Sequence, residues 1–326
     1  MLDGHPGPLH ALRGRPGAIA RLVLSGVGCA PASVENHGRG RVALKIGRCE
    51  RSADARLQSV IVTVTAEDGT SLQGRWTGRG EPVVLVHGSA GGLDSWDPVL
   101  PFLADEFQLW VYARRGYAPS GDCLRDKTFA DDVTDVEAVL AAAGGRAHLV
   151  GASYGGTVAL HAALSGVPGI RSVAVFEPPL FAAGIELKEV LDRYRALLDA
   201  GDLAAAARLF ARHVSRVPAA ILEGLAQAGG DSDPTQAAAE ASGCLHDLEA
   251  MTADESTIIR WAQIDVPVLL LQGSDTWSPI PQTMEALAET LPNAQRAVFP
   301  GEAHFATHTA PELFAATLRT FLHAHS

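Results

Sequence analysis

From Val60 onward, apolar residues fall into short, regularly spaced runs. Val60, Val62 and Val64 alternate with other residues, Asp68 and Gly69 give a turn, and Leu72 to Trp76 return, the pattern of a β-hairpin. Val83 to Val86 are then continuously apolar from Pro82 to His87, as in a strand covered on both faces of a parallel sheet. The pattern continues with a helix over Ser95 to Ala104, a strand from Gln108 to Tyr112 and a helix over Phe129 to Ala143. A strand from Ala147 to Gly151, a helix over Gly155 to Leu164 and a strand from Ser172 to Phe176 follow. Such a βαβ rhythm predicts a doubly wound, mostly parallel α/β sheet, because parallel strands need crossover helices.

The rhythm stops at Glu177, Pro178 and Pro179. Between about 180 and 261, Ala, Leu, Glu and Arg recur at helical spacing, interrupted at Gly201, Pro218 and the stretch from Gly229 to Pro234, which predicts a helical insertion. Strands resume at Val266 to Gln272 and Arg296 to Phe299. A closing amphipathic helix from Pro311 to His323 presents Phe314, Leu318 and Phe321, with Leu313 beside them.

Residues 1–58 differ in character, being rich in Arg, Gly and Pro with no sustained periodicity, and are expected to form a poorly ordered extension ahead of a domain at 59–326. The apolar stretch Ala18 to Gly28 before Cys29 faintly resembles an export signal, but Arg21 interrupts it and the residues before Cys29 make a poor cleavage site. The four cysteines, Cys29, Cys49, Cys123 and Cys244, lie far apart, with neither a CxxC pair nor the density of a disulfide scaffold; they fit incidental thiols in the cytoplasm. A net charge of -11 leaves no basic stripe for nucleic acid. No apolar run reaches the roughly 20 residues of a membrane span.

The strongest chemical signal is GASYGG at Gly151 to Gly156, between an apolar strand and a helix. A nucleophile on such a sharp turn needs small neighbours, because the backbone is strained and adjoining elements approach closely. Ser153 is the candidate nucleophile. A serine hydroxyl needs a base, and that base needs an orienting group. GSDTWSP offers Asp275 after one strand and FPGEAHF offers His304 after the next, giving the order serine, acid, histidine. Glu177, at the end of its own strand, is an alternative acid, and His308 a rival base. His87 reads as a structural histidine of its loop. Asp231, Asp233, Asp247 and Asp254 read as helix caps and solvated charges. Apart from His304 and His308, which the triad reading explains, the histidines do not cluster at HxxxH or HExxH spacing with nearby acids, and the first strand carries no phosphate-binding fingerprint, so neither a metal nor a cofactor is expected.

HGSAGG (His87 to Gly92) with Trp96, RRGYAPSG (Arg114 to Gly121), GASYGG, and His304 followed by Pro311 and Glu312 together resemble the α/β-hydrolase superfamily from about Val60 to the C-terminus. Ala113 and Ala118 depart from its common Asp and Gly. The resemblance implies a serine-nucleophile α/β-hydrolase fold with residues 180–261 as a helical lid. It also implies an oxyanion hole from the backbone N–H groups of Ser89 and Tyr154. The reaction implied is cleavage of a small, apolar, ester-like substrate by water. Serine rather than Asp at the turn argues against chemistry that forms an alkyl-enzyme ester. Lactone, thioester, amide or carbon–carbon cleavage, a lyase or perhydrolase, and a triad-retaining ligand receptor remain alternatives. Phe181, Leu187, Leu191, Tyr194, Leu248 and Met251 are candidates for pocket lining or for ordinary helix packing.

Overall fold

A computed structural model describes residues 45–49, 58–228 and 234–326. Among the described residues, nine strands form one sheet in the order β1-β2-β3-β5-β4-β6-β7-β8-β9. They are β1 (Lys45–Cys49), β2 (Ser59–Thr65), β3 (Ser71–Gly78), β4 (Glu81–Val86), β5 (Phe107–Tyr112), β6 (Ala147–Ala152), β7 (Ile170–Phe176), β8 (Val268–Gly273) and β9 (Ala294–Phe299). The first three run antiparallel and join β5 antiparallel; from β5 to β9 every pairing is parallel. The doubly wound α/β sheet is therefore as expected, with one addition. β1 falls inside the 1–58 stretch expected to be poorly ordered, whose Arg, Gly and Pro content gives no sustained alternation. Backbone pairing from Lys45↔Thr63 to Cys49↔Ser59 supplies the order instead.

The central strands explain themselves. In β4, Val84 and Val86 enter one hydrophobic cluster while Val83 and Leu85 enter the other; in β8, Val268 and Leu270 oppose Leu269 and Leu271 in the same way. Alternate side chains leave opposite faces of a strand, so an unbroken apolar run is needed where both faces are covered. One face packs against α1 (Phe129–Ala142) and α2 (Tyr154–Leu164). The opposite face packs against the closing helix Pro311–Ala324. Phe314, Leu318 and Phe321 of that helix are buried as expected, but Leu313 is 45% exposed and Leu322 takes the buried position.

The expected helix over Ser95 to Ala104 does not form. Pro98 and Pro101 carry no N–H, so the segment settles into turns and one 3-10 helix, Leu100–Phe102. The described residues between β7 and β8 are largely helical, in keeping with the helical insertion the sequence predicts, and include α3 (Lys188–Asp199), α4 (Leu203–His213), α5 (Ala219–Ala228) and α6 (Pro234–Ala253). α7 (Ile280–Thr290), between β8 and β9, is an addition to the expected elements. Leu187, Leu191, Tyr194, Leu248 and Met251 all lie in the main core cluster, so packing accounts for them.

The turn that ends β6 is fixed by two glycines. A Cβ on Gly151 would lie 2.1 Å from the Gly155 carbonyl oxygen, and one on Gly155 would lie 2.3 Å from that of Val86. Backbone cannot yield as a flexible side chain can. Gly155→Ala is expected to cost more than about 3 kcal/mol of stability by overpacking and backbone displacement. Gly224→Ala in α5, with open space around the new methyl, should be neutral or stabilising by up to about 1 kcal/mol. Urea denaturation of both variants measures the contrast; equal effects would contradict the close-approach account.

Candidate active site

Ser153 stands between β6 and α2 with φ 52° and ψ -123°, a strained backbone for a residue with a side chain. Its N–H donates to the Phe176 carbonyl at 2.7 Å, which ties the turn to the end of β7. Ser153 Oγ lies 3.0 Å from His304 Nε2, and His304 Nδ1 lies 2.6 Å from Glu177 Oε2. The structure thus brings Ser153 and His304 together as the sequence suggested.

The carboxylate at His304 is Glu177 and not the expected Asp275. Asp275 is exposed and its Oδ1 accepts from Ser274 Oγ at 2.8 Å, while Glu177, wholly buried, takes the place at His304. The reason lies in the sheet. Glu177 follows β7, immediately beside the strand that carries Ser153, whereas Asp275 follows the next strand outward. The end of β8 and the loop after it contribute donors to Glu177: Gly273 N–H to Oε1 at 2.8 Å and Thr276 Oγ1 to Oε2 at 2.9 Å. With the bond to His304, both carboxylate oxygens are engaged, which lowers the cost of burying the charge. Trp277 completes the wall, its ring centroid 5.6 Å from that of His304 and its Nε1–H donating to Ser215 O at 3.0 Å. His308 instead meets Thr307 Oγ1 at 2.9 Å, and burial lowers its pKa.

A second cluster holds the loop from His87 to Gly92. Arg114 Nε donates to His87 O at 3.0 Å, and its Nη2 reaches Gly88 O at 3.2 Å. In a trans peptide the carbonyl and the next N–H point in opposite directions, so the Ser89 N–H faces away from Arg114. On that loop, a Cβ on Gly88 would come within 3.8 Å of Ser153 Oγ. Tyr154 opens α2, where the first N–H groups have no partner within the helix.

Asp247 of α6 lies at the centre of this cluster, fully buried, not at the surface as its sequence context suggested. It accepts two bonds from Arg114, at 2.6 and 2.7 Å, one from Lys127 at 2.9 Å, and one each from Tyr117 and Ser89 hydroxyls at 2.7 Å. Burial alone would raise its pKa, but Arg114 and Lys127 override that and hold the carboxyl well below the usual range. Asp132 accepts from Tyr154 OH at 2.7 Å, and the Arg114 guanidinium sits 4.3 Å from the Tyr154 ring centroid. Asp254 is also paired, with Arg260 and with His161. Asp231 and Asp233 lie outside the described residues. The sequence signal for Asp247 was the polar pattern Arg114, Tyr117 and Lys127, which needs a buried counter-charge.

Phe181 and Leu187 border a cavity of about 700 Å³ together with Val190, Arg212, Glu186 and Arg216. Neither Ser153 nor His304 is among its lining residues, so it is not the apolar pocket expected beside them. Among the described residues, Asp122, Cys123 and His246 also form a group with metal-ligand chemistry, and no helix is long and apolar enough to cross a membrane.

A nucleophile on a strand-to-helix turn, with its histidine and acid on loops at the same sheet edge, defines a class of hydrolytic α/β folds. Residues 81–311 match the α/β-hydrolase fold family, and the chain belongs to it as a hydrolase of that kind. A putative carbamate hydrolase RutD of Azorhizobium caulinodans is 29% identical over 251 residues, covering 75% of this chain and 92% of the relative. A non-heme haloperoxidase of Rhodococcus erythropolis is 27% identical over 259 residues, covering 74% and 92%. The crystal structure of an α/β hydrolase from Sphaerobacter thermophilus is 29% identical with a TM-score of 0.67, covering 80% of this chain and 99% of that one.

His87 provides a pH-dependent test. It is buried, its Nε2 accepts from Arg114 N–H at 3.0 Å, and its Nδ1 lies 2.7 Å from Gly88 O. Burial and then Arg114 lower its pKa to about 3. The unfolded chain binds a proton near pH 6.5 that the native chain refuses, so stability from this group falls as pH drops from 6.5 towards 3. His87→Gln removes that proton site. Its stability deficit against wild type should shrink by on the order of 2 kcal/mol between pH 7 and pH 5 in urea denaturation; a constant deficit would contradict the assignment.

Proposed function

We propose that the protein cleaves a small carboxylic ester, or a related lactone, thioester or carbamate, through an acyl-serine intermediate. The unbroken hydrogen-bond chain from Ser153 through His304 to Glu177 carries this reading. Ser153 Oγ attacks the carbonyl carbon while His304 Nε2 takes the hydroxyl proton. Glu177 fixes the imidazole with Nδ1–H towards itself and stabilises the imidazolium as it forms. The carbonyl oxygen, now negative, is held by the N–H groups of Ser89 and Tyr154. The direction of the Ser89 N–H and the position of Tyr154 at the start of α2 support that role. Collapse expels the alcohol with the proton from His304, and water then repeats the sequence to release the acid.

α3 to α6 act as a lid that shapes the substrate site, a role supported by the Trp277 bond to Ser215 and by Asp247 of α6 holding the Ser89 loop. The free thiols of Cys123 and Cys244 support a cytoplasmic setting.

Turnover of p-nitrophenyl esters from acetate to octanoate tests the proposal. Ser153→Ala should lose at least about 1,000-fold in kcat, and Glu177→Gln on the order of 10,000-fold, as when a triad acid is neutralised. Asp275→Asn, an exposed change, should stay within about twofold of wild type. Full activity in Glu177→Gln with loss in Asp275→Asn would overturn the acid assignment, and full activity in Ser153→Ala would overturn the mechanism.

A further inference from the structure

Asp122, Cys123 and His246 stand apart from the proposed triad and take no part in the proposed reaction. Asp122 and Cys123 are adjacent in the loop before α1, and His246 projects from α6 to meet them. One ligating atom from each lies within 4.8 Å of the others, and His246 Nε2 is 3.0 Å from Asp122 Oδ1. Tetrahedral bonds of about 2.0 to 2.3 Å place neighbouring ligand atoms roughly 3.3 to 3.8 Å apart, so small side-chain adjustments would suffice.

The imidazole is also oriented. Its Nδ1 lies 2.8 Å from Glu249 Oε2, and Glu249 is held in turn by Lys127 N–H at 3.1 Å and Arg195 Nη2 at 2.8 Å. A metal-binding histidine characteristically gives its other ring N–H to a carboxylate, which fixes the ring and strengthens the donor. Here that leaves Nε2 facing Asp122 and Cys123. His246 is largely buried, Cys123 partly, and Asp122 lies at the solvent edge, which provides an entry path and room for water as a fourth ligand. A thiolate, an imidazole and a carboxylate suit a borderline-soft divalent ion such as Zn²⁺, and disfavour Mg²⁺ or Ca²⁺, which take oxygen donors.

We propose that Cys123, His246 and Asp122 form a three-ligand site for Zn²⁺ or a similar divalent ion, with water as the fourth ligand, tying the loop at 122–123 to α6. Binding forms three metal–protein bonds with no redox change. The protons on Cys123 Sγ and His246 Nε2 pass to solvent. The clamp would lie one residue from Asp247, steadying the helix that holds the Ser89 loop.

Co²⁺ titration of the chelator-stripped full chain tests the site directly, because thiolate ligation gives a near-ultraviolet charge-transfer band. The expected result is a band saturating at one equivalent, bleached by added Zn²⁺, absent in Cys123→Ser and retained in Cys244→Ser. Glu249→Gln should weaken Co²⁺ binding by about 10 to 100-fold. Wild type without the band, or a band that survives Cys123→Ser, would overturn the proposal. Circular dichroism of each variant separates lost ligation from lost folding.

Discussion

The site depends on one constraint, the left-handed backbone at Ser153. Holding a non-glycine residue at φ 52° brings α2 against β4, and this closeness is possible only because Gly155 faces the Val86 carbonyl without a Cβ. The strain is compensated by the surrounding sheet, above all by the Ser153 N–H bond to Phe176 O. That bond has a chemical consequence. It fixes the end of β7 beside Ser153, so Glu177 begins where a carboxylate can reach the far side of His304.

A second constraint is electrostatic. One buried carboxylate, Asp247, is matched by Arg114 and Lys127 and by two hydroxyls, and its partners hold the loop beside Ser153. Removing one member of such a cluster leaves an uncompensated buried charge, typically costing about 3 to 5 kcal/mol. The arrangement therefore ties the helical segment between β7 and β8 to the floor of the site. Arg114 has two tasks there, neutralising Asp247 and drawing the His87 and Gly88 carbonyls to one side. Three of the four RRGY residues have explicit partners: Arg114 with Asp247, Arg115 with Asp135 at 2.6 Å, and Tyr117 with Asp247 and the Ala90 N–H.

The central strands and the Ser153 turn were legible because their physical demands are local. A strand buried on both faces must be continuously apolar, and a close strand-to-helix turn must carry glycine. The carboxylate that meets His304 was less legible, since Glu177 and Asp275 both follow strands at the same edge and only the spatial order of those strands separates them. Asp247 was hidden for a related reason: its partners are more than 100 residues away, so a fully compensated buried charge looks like a surface one. Pro98 and Pro101 were visible, and their missing N–H groups explain why turns replace the expected helix. β1 lacks alternation because its order comes from backbone pairing along β2, which side-chain patterns do not record.

The central claim is covalent chemistry at Ser153, and the most direct measurement is mass spectrometry of the protein after treatment with a fluorophosphonate, which traps an activated serine. The account predicts one adduct, on the peptide containing Ser153, formed at least about 100-fold more slowly when His304 is replaced by Ala. An adduct on another residue, or labelling of Ser153 at an unchanged rate without His304, would contradict it.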